Sequence, residues 1–315
     1  METSLPKRIF QYEIHDLIGC GQNGEVYKGA DPTSGSEVVV KLLHPEVTAD
    51  NGFRHRCRKL LNTARGLDHP NLAVLHDIIE HDNRIVLVSE FVQGESLEQM
   101  FAGTPVAVAS FLDKAVQMAQ GLEHLHHAEL VHGNLHPSNI LVTPDGQIKL
   151  TDFCLPRRLT DSQSELGGFR PGTVAFASPE EVRHEQPLPS SDLFSLGAVY
   201  YLMLSGRPPF PGQSVTDLSR QILTRRPDYA AISGRRVPGE IILLLRRMMS
   251  AKDDERCAES SELLVTLEAI SGFQRDSKEH RGSHARTQSH RFYLLLSLLA
   301  ILMVLLWSVI AKNHP

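Results

Sequence analysis

Val131-His132-Gly133-Asn134-Leu135-His136-Pro137-Ser138-Asn139-Ile140-Leu141-Val142 sits near the middle of the chain. Four polar residues able to do chemistry, His132, Asn134, His136 and Asn139, are set in an apolar frame of Val131, Leu135 and Ile140–Val142. On the N-terminal side, short β-type runs dominate from Tyr12 to Val92: Tyr12–Ile18, Glu25–Gly29, Glu37–Leu42, Leu72–Ile79 and Arg84–Phe91. One helical stretch, roughly Phe53–Leu67, interrupts them. From Leu97 to about Ile270 the periodicity is mostly helical, with long amphipathic runs at Val108–His127, Ser190–Ser205, Val215–Arg225 and Glu240–Met249. Periodicity alone therefore predicts an α+β chain, a small β-rich lobe followed by a larger helical one. Residues 1–9 read as a short leader, and no internal repeat is visible.

A chain of 315 residues with 41% hydrophobic and 22% charged residues can bury a substantial core. Its net charge of −5 gives no support for nucleic acid as a partner. Cys20, Cys57, Cys154 and Cys257 lie far apart with no C-x-x-C pair, which suits a reducing compartment and supplies neither a disulfide framework nor a zinc site. No apolar segment marks a secretory signal at the N-terminus.

The C-terminal end has a different composition. Residues 272–291 are polar, basic and rich in Ser and His, and read as a juxtamembrane linker. From Phe292 to Ala311 there is no charged residue, and at ~1.5 Å per residue that length gives about 30 Å, enough to cross a bilayer's hydrocarbon core as a helix. Phe292, Tyr293 and Trp307 fall near its ends, where amphipathic rings favour the headgroups. Lys278, Arg281, Arg286 and Arg291 precede the span and Lys312 alone follows it, so the N-terminal region is expected in the cytoplasm and the C-terminus outside. With four residues after the span, input is expected from the cytoplasm, the bilayer or a neighbouring membrane protein. The span has no G-x-x-x-G pattern to argue for pairing, and the oligomeric state is left open.

Gly19-Cys20-Gly21-Gln22-Asn23-Gly24-Glu25-Val26 fits G-x-G-x-x-G-x-V between two β-type runs. Glycines there let the backbone approach phosphates closely, and a following strand, in place of a helix, disfavours a dinucleotide-binding unit. Lys41 ends the β-branched run Val38-Val39-Val40, a placement that suits a phosphate ligand better than a solvated surface charge.

Taken in order, these pieces resemble the eukaryotic-type protein kinases over about residues 10–270. The central stretch resembles the catalytic loop H-R-D-L-K-P-x-N-I-L. Val38–Lys41 resembles V-A-I-K, Asp152-Phe153-Cys154 resembles D-F-G, and Gly172–Glu180 resembles G-T-P-x-Y-M-A-P-E. Asp192 with Gly197 resembles a D-x-W/F-S-x-G helix start, and Arg256 matches the arginine that pairs with the A-P-E glutamate, here Glu180. Gly35–Asp50 and Leu67–Asp77 look most like bacterial serine/threonine kinases of the receptor type. The resemblance implies a two-lobed kinase fold at residues 10–271, with an N-lobe to about 92 and a C-lobe from 93. It implies ATP held by Gly19, Gly21, Gly24, Val26, Val39, Lys41, Ser89, Glu90 and Val92, and Mg²⁺ held by Asn139 and Asp152. It also explains His132 as a packed loop histidine, so the close His124/His127 and His132/His136 spacings are not taken as a metal site.

Five departures bear on function, and two of them fall on the transfer step. Asn134 stands at the aspartate that accepts the substrate hydroxyl's proton, and His136 at the lysine that supports the γ-phosphate. An amide has no basic oxygen comparable to a carboxylate, and histidine is mostly neutral at pH 7. Leu60 occupies the position of the helix glutamate that partners the strand lysine, and the helix carries Arg54, Arg56, Arg58, Lys59 and Arg65, read as a solvated basic face. Val39 replaces the alanine above adenine, with Ser89 as a small gatekeeper; Cys154 replaces a glycine, and Gly133 removes the arginine that reads a phosphorylated activation loop. Thr160, Ser162 and Ser164 remain available for modification. Three readings follow: a membrane-tethered, ATP·Mg²⁺-binding regulatory module with transfer lost or much weakened, a weakly active serine/threonine kinase acting on protein hydroxyls, and a nucleotide-free scaffold.

Overall fold

β-Branched residues cluster in short runs such as Val38–Val40 within the first ninety residues, and these runs build one antiparallel sheet. A computed structural model describes residues 5–20, 23–49, 54–55, 58, 62–81, 84–101, 103–153, 155, 171–212, 214–233, 237–257 and 259–281. Among them, strands β1 (Arg8–Ile9), β2 (Tyr12–Cys20), β3 (Gly24–Ala30), β4 (Glu37–Leu43), β5 (Leu75–His81) and β6 (Arg84–Glu90) form a sheet in the order β1-β2-β3-β4-β6-β5. Arg8 and Ile9 pair with Glu13 and Tyr12, so part of the expected leader is an edge strand. β5 begins at Leu75, three residues later than the periodicity suggested. Leu72 instead bridges to Leu150, and the Ala73 N–H donates to the Leu150 carbonyl, so these apolar residues tie the sheet to the helical lobe.

Alternation along β4 sorts its side chains between two faces. Val38 and Val40 join Ile9, Tyr12, Ile14, Tyr27, Val86 and Val88 in a buried cluster on one face. Val39 and Lys41 therefore point to the other, with their antiparallel partners: Lys41 is paired with Val26 and Leu87, and Val39 with Lys28 and Ser89. One face of the sheet thus gathers Val26, Val39, Lys41 and Ser89.

The helical lobe is organised around two helices. Val108–His127 buries Phe111, Leu112, Ala115, Met118, Ala119, Leu122 and Leu125, a stripe at helical spacing. Pro189–Ser205, expected to be amphipathic, is instead buried on nearly every face as the lobe's central helix, its polar Ser190, Ser191, Asp192 and Ser195 included. Helices Val215–Thr224, Gly239–Met248 and Ser260–Arg281 surround them. The last of these runs through Arg281, so the first ten residues of the expected linker are helical. Among the described residues no helix is long and apolar enough to cross a membrane. The apolar run 292–311 and the remainder of the linker lie outside the described residues.

A second sheet joins β7 (Glu95–Ser96), β8 (Ile140–Val142) and β9 (Ile148–Leu150). β8 and β9 form a hairpin with Ile140 opposite Leu150. The residue before β8 and those after β9 consequently emerge side by side, and these are Asn139, Thr151 and Asp152.

Candidate nucleotide and phosphoryl-transfer site

The hairpin's open end is fastened by short bonds. The Thr151 N–H donates to the Asn139 carbonyl at 2.9 Å, and the Asn139 N–H to the His136 carbonyl at 2.9 Å. The Asn139 side-chain NH₂ donates to the Asn134 carbonyl at 2.9 Å. With its amide nitrogen committed to that bond, Asn139 offers its carboxamide oxygen as the acceptor. Asp152 lies across from it with φ +57, a left-handed conformation that aspartate tolerates better than most residues.

Lys41 supplies the constraint that holds Asp152 there. Its Nζ donates to Asp152 Oδ2 at 2.7 Å, with the lysine side chain 8% exposed and the aspartate 33%. Burial pushes the Asp152 carboxyl up, but the Lys41 charge and hydrogen bond outweigh it, with His136 and His132 adding, and hold the carboxyl below its ordinary value. Asp152 is therefore anionic at neutral pH. Lys41 has taken Asp152 as its partner, in keeping with the leucine at position 60, which lies outside the described residues together with Gly21, Cys154, Thr160, Ser162 and Ser164. Asn139 and Asp152 are both hard oxygen donors, the chemistry that Mg²⁺ favours, and they are the residues that could hold such an ion here. Among the described residues no group of three or more His, Cys, Asp or Glu side chains is gathered to hold a metal ion.

The loop that carries Asn134 is suspended from the central helix. Asp192, 2% exposed, accepts from the His132 N–H at 2.7 Å through Oδ2 and from the Gly133 N–H at 2.8 Å through Oδ1. The same Oδ2 lies 2.9 Å from His126 Nε2, whose Nδ1 lies 3.2 Å from Ser260 Oγ. Gly133 has φ +65, where a side chain is strained, so glycine relieves the backbone at the cost of the guanidinium the resemblance would put there. Asn134 is half-buried and His136 buried. Neither contributes a carboxylate or an obligatory positive charge.

On the sheet side, Gly24 is required by space. A Cβ there would stand 2.1 Å from the Leu42 carbonyl oxygen, so only glycine lets β3 run this close to β4. Gly19 pairs with Val26 across the β2–β3 turn, and Val39 and Ser89 face each other on β4 and β6. Val92 is buried beyond β6. Glu90 is occupied structurally: its Oε2 accepts from Lys149 Nζ at 3.0 Å and from the Val74 N–H at 3.1 Å. Its backbone, by contrast, is where adenine recognition is expected.

The expected pairing of Arg256 with Glu180 is present as a buried two-pronged bridge, with Nη1–Oε2 at 2.8 Å and Nη2–Oε1 at 2.7 Å. Ser191 Oγ also donates to Glu180 at 2.9 Å. Burial raises the Glu180 carboxyl, but the Arg256 hydrogen bonds and charge prevail and lower it. The basic helix face is more structured than sequence suggested: Arg65 pairs with Asp77 at 2.6 Å, and Arg58 with Glu80. Sequence reading also missed the bond from Ser138 Oγ, in the catalytic-type loop, to Glu98.

Residues 12–266 match the family model described as the protein kinase domain. The chain belongs to the protein kinase family. Its curated relatives include serine/threonine-protein kinase PrkC of Bacillus subtilis, 31% identical over 80% of this chain and 39% of PrkC. Serine/threonine-protein kinase PknA of Mycobacterium tuberculosis is 33% identical over 69% of this chain and 52% of PknA. The chain thus spans about half, or less, of the length of these relatives. The crystal structure of the Mycobacterium tuberculosis PknI kinase domain superposes with a TM-score of 0.67 at 22% identity, covering 84% of this chain and 99% of that one, which supports the two-lobed fold.

Proposed function

We propose that this protein kinase-family chain binds ATP with Mg²⁺ and works as a membrane-tethered regulatory module whose phosphoryl transfer is lost or much weakened. The observation that carries this is the contrast within one loop and hairpin. Asn139 and Asp152 stand together as oxygen donors at the hairpin's open end, with Lys41 on Asp152, while Asn134 and His136 occupy the transfer positions without base or fixed charge. Lys41 and the glycine turn would hold the phosphates, Asn139 and Asp152 the metal, and the backbone after β6 the adenine. The ion, when bound, would neutralise phosphate charge. Asn134 is left able to orient a substrate hydroxyl but not to take its proton, and loss of a general base costs roughly 10²–10⁴ in rate.

The tether rests on the apolar run 292–311, which by charge bias would keep the kinase domain cytoplasmic. Regulation would be conformational: nucleotide favours one lobe arrangement, and a cytoplasmic protein partner reads it. The relatives' names favour a second reading, a slow but genuine serine/threonine kinase that moves the ATP γ-phosphate to protein hydroxyls. The same ATP site serves both. A thermal-shift titration tests that shared premise: ATP with Mg²⁺ at about 100 times its Kd should stabilise the fold by about 2.7 kcal/mol, and Lys41→Met should remove the effect. No stabilisation at millimolar ligand, in the wild type and in Val39→Ala alike, would leave only a nucleotide-free scaffold.

A further inference from the structure

A cavity of about 670 Å³ opens in the helical lobe, away from the nucleotide site, between the end of helix Val215–Thr224, the extended residues 225–228 and the end of helix Gly239–Met248. Its apolar floor includes Tyr229 and Met249, both buried, with Pro227. Five basic and two acidic side chains line it, in a chain whose net charge is −5. Both acids are engaged: Glu255 with Lys252 at 2.8 Å, and Asp228 with Arg207 at 3.3 Å. Among the basic residues, Arg247 is held by Glu262 at 2.5 Å. Arg225, Arg226 and Arg246 are exposed and make no ion pair among the described residues; Arg246 stacks its guanidinium 5.2 Å over the Tyr229 ring.

Two helix C-termini end here and would by themselves attract cations. Each carries about half a negative charge, so together they offset about one of the surplus positive charges. A net positive concavity remains, with an apolar floor that fits side chains, a combination made for an anionic peptide more than for a free anion.

We propose that this cavity docks an acidic peptide segment of a partner protein, with Asp or Glu carboxylates on Arg225 and Arg226 and an apolar residue against Tyr229. The proposal is independent of the nucleotide site, so its failure leaves the ATP reading untouched. The test is fluorescence anisotropy of the full chain in mild detergent with a short fluorescein-labelled peptide alternating Leu with Asp or Glu. A control peptide carries Asn and Gln in place of the acids. The acidic peptide should bind, the control should not, and affinity should fall with added salt. Arg225→Glu/Arg226→Glu should weaken binding by about tenfold or more, with Arg225→Gln/Arg226→Gln following in the same direction, while both keep the wild-type thermal response to ATP. Equal binding of the two peptides, unchanged affinity in both double variants, or displacement by equimolar inorganic phosphate or ATP would overturn it.

Discussion

Asp192→Asn probes the suspension of the altered loop from the central helix. The carboxylate accepts two backbone N–H groups, at 2.7 and 2.8 Å, and contacts the His126 ring at 2.9 Å, all in a site where it is 2% exposed. An amide keeps a single acceptor oxygen. Whichever way it turns, its NH₂ faces either the Gly133 N–H or the side shared by the His132 N–H and His126. One buried backbone donor loses its partner, at about 1–3 kcal/mol, and the bond that survives loses its charge assistance. The sum is about 2–4 kcal/mol, and at roughly 2–4 °C per kcal/mol for a domain of this size the Tm should drop by about 5–15 °C. Differential scanning fluorimetry reads this directly. Because Asn139 hangs from the same loop through the Asn134 carbonyl, the stabilisation by ATP and Mg²⁺ should shrink as well. A Tm within a degree or two of wild type, with an unchanged nucleotide response, would refute the claim that Asp192 positions the loop.

Two further substitutions test separate parts of the account. Gly24→Ala places a methyl 2.1 Å from the Leu42 carbonyl oxygen, and backbone cannot yield cheaply; about 1–3 kcal/mol of stability and most of the ATP-dependent shift should be lost, as read by the same thermal titration. Glu180→Gln breaks the buried pair with Arg256 and should cost about 3 kcal/mol near neutral pH in a urea titration. The Glu180 carboxyl is depressed in the folded state, so its contribution is complete above the ordinary value of 4.5 and is lost as pH falls through the lower folded-state value. The wild-type advantage over Glu180→Gln should accordingly narrow on acidification below that ordinary value.

Much of the site was legible because it rests on residue types at fixed order. Lys41, Asn139 and Asp152 could be singled out from their neighbours in the chain, and the Arg256–Glu180 bridge from its matching ends 76 residues apart. The boundaries of Val108–His127 follow from its apolar stripe alone. What sequence could not give was the choice of partner across elements. Leu60 announced that Lys41 would lack a helix glutamate, but not that Asp152 would take the ammonium. The arginines at 58 and 65 looked like a solvated face because the carboxylates that receive them, Glu80 and Asp77, sit on a strand whose alternation says nothing about a helix lying above it. Glu90 likewise drew attention for its backbone, while its carboxylate is spent on Lys149. The helical residues 272–281 hid in a polar, low-hydrophobicity stretch, where composition favours a linker.

A soluble fragment should keep the helical residues 272–281 and not be cut at 272. On such a fragment the central claim reduces to one comparison: γ-³²P transfer from ATP to a generic basic protein by the wild type and by Asn134→Asp/His136→Lys. With the proposed nucleotide and metal ligands intact and only base and charge restored, the revertant should label about 10²–10⁴ times faster than the wild type. Equal rates in the two proteins, both well above background, would contradict the account and establish the chain as an ordinary serine/threonine kinase.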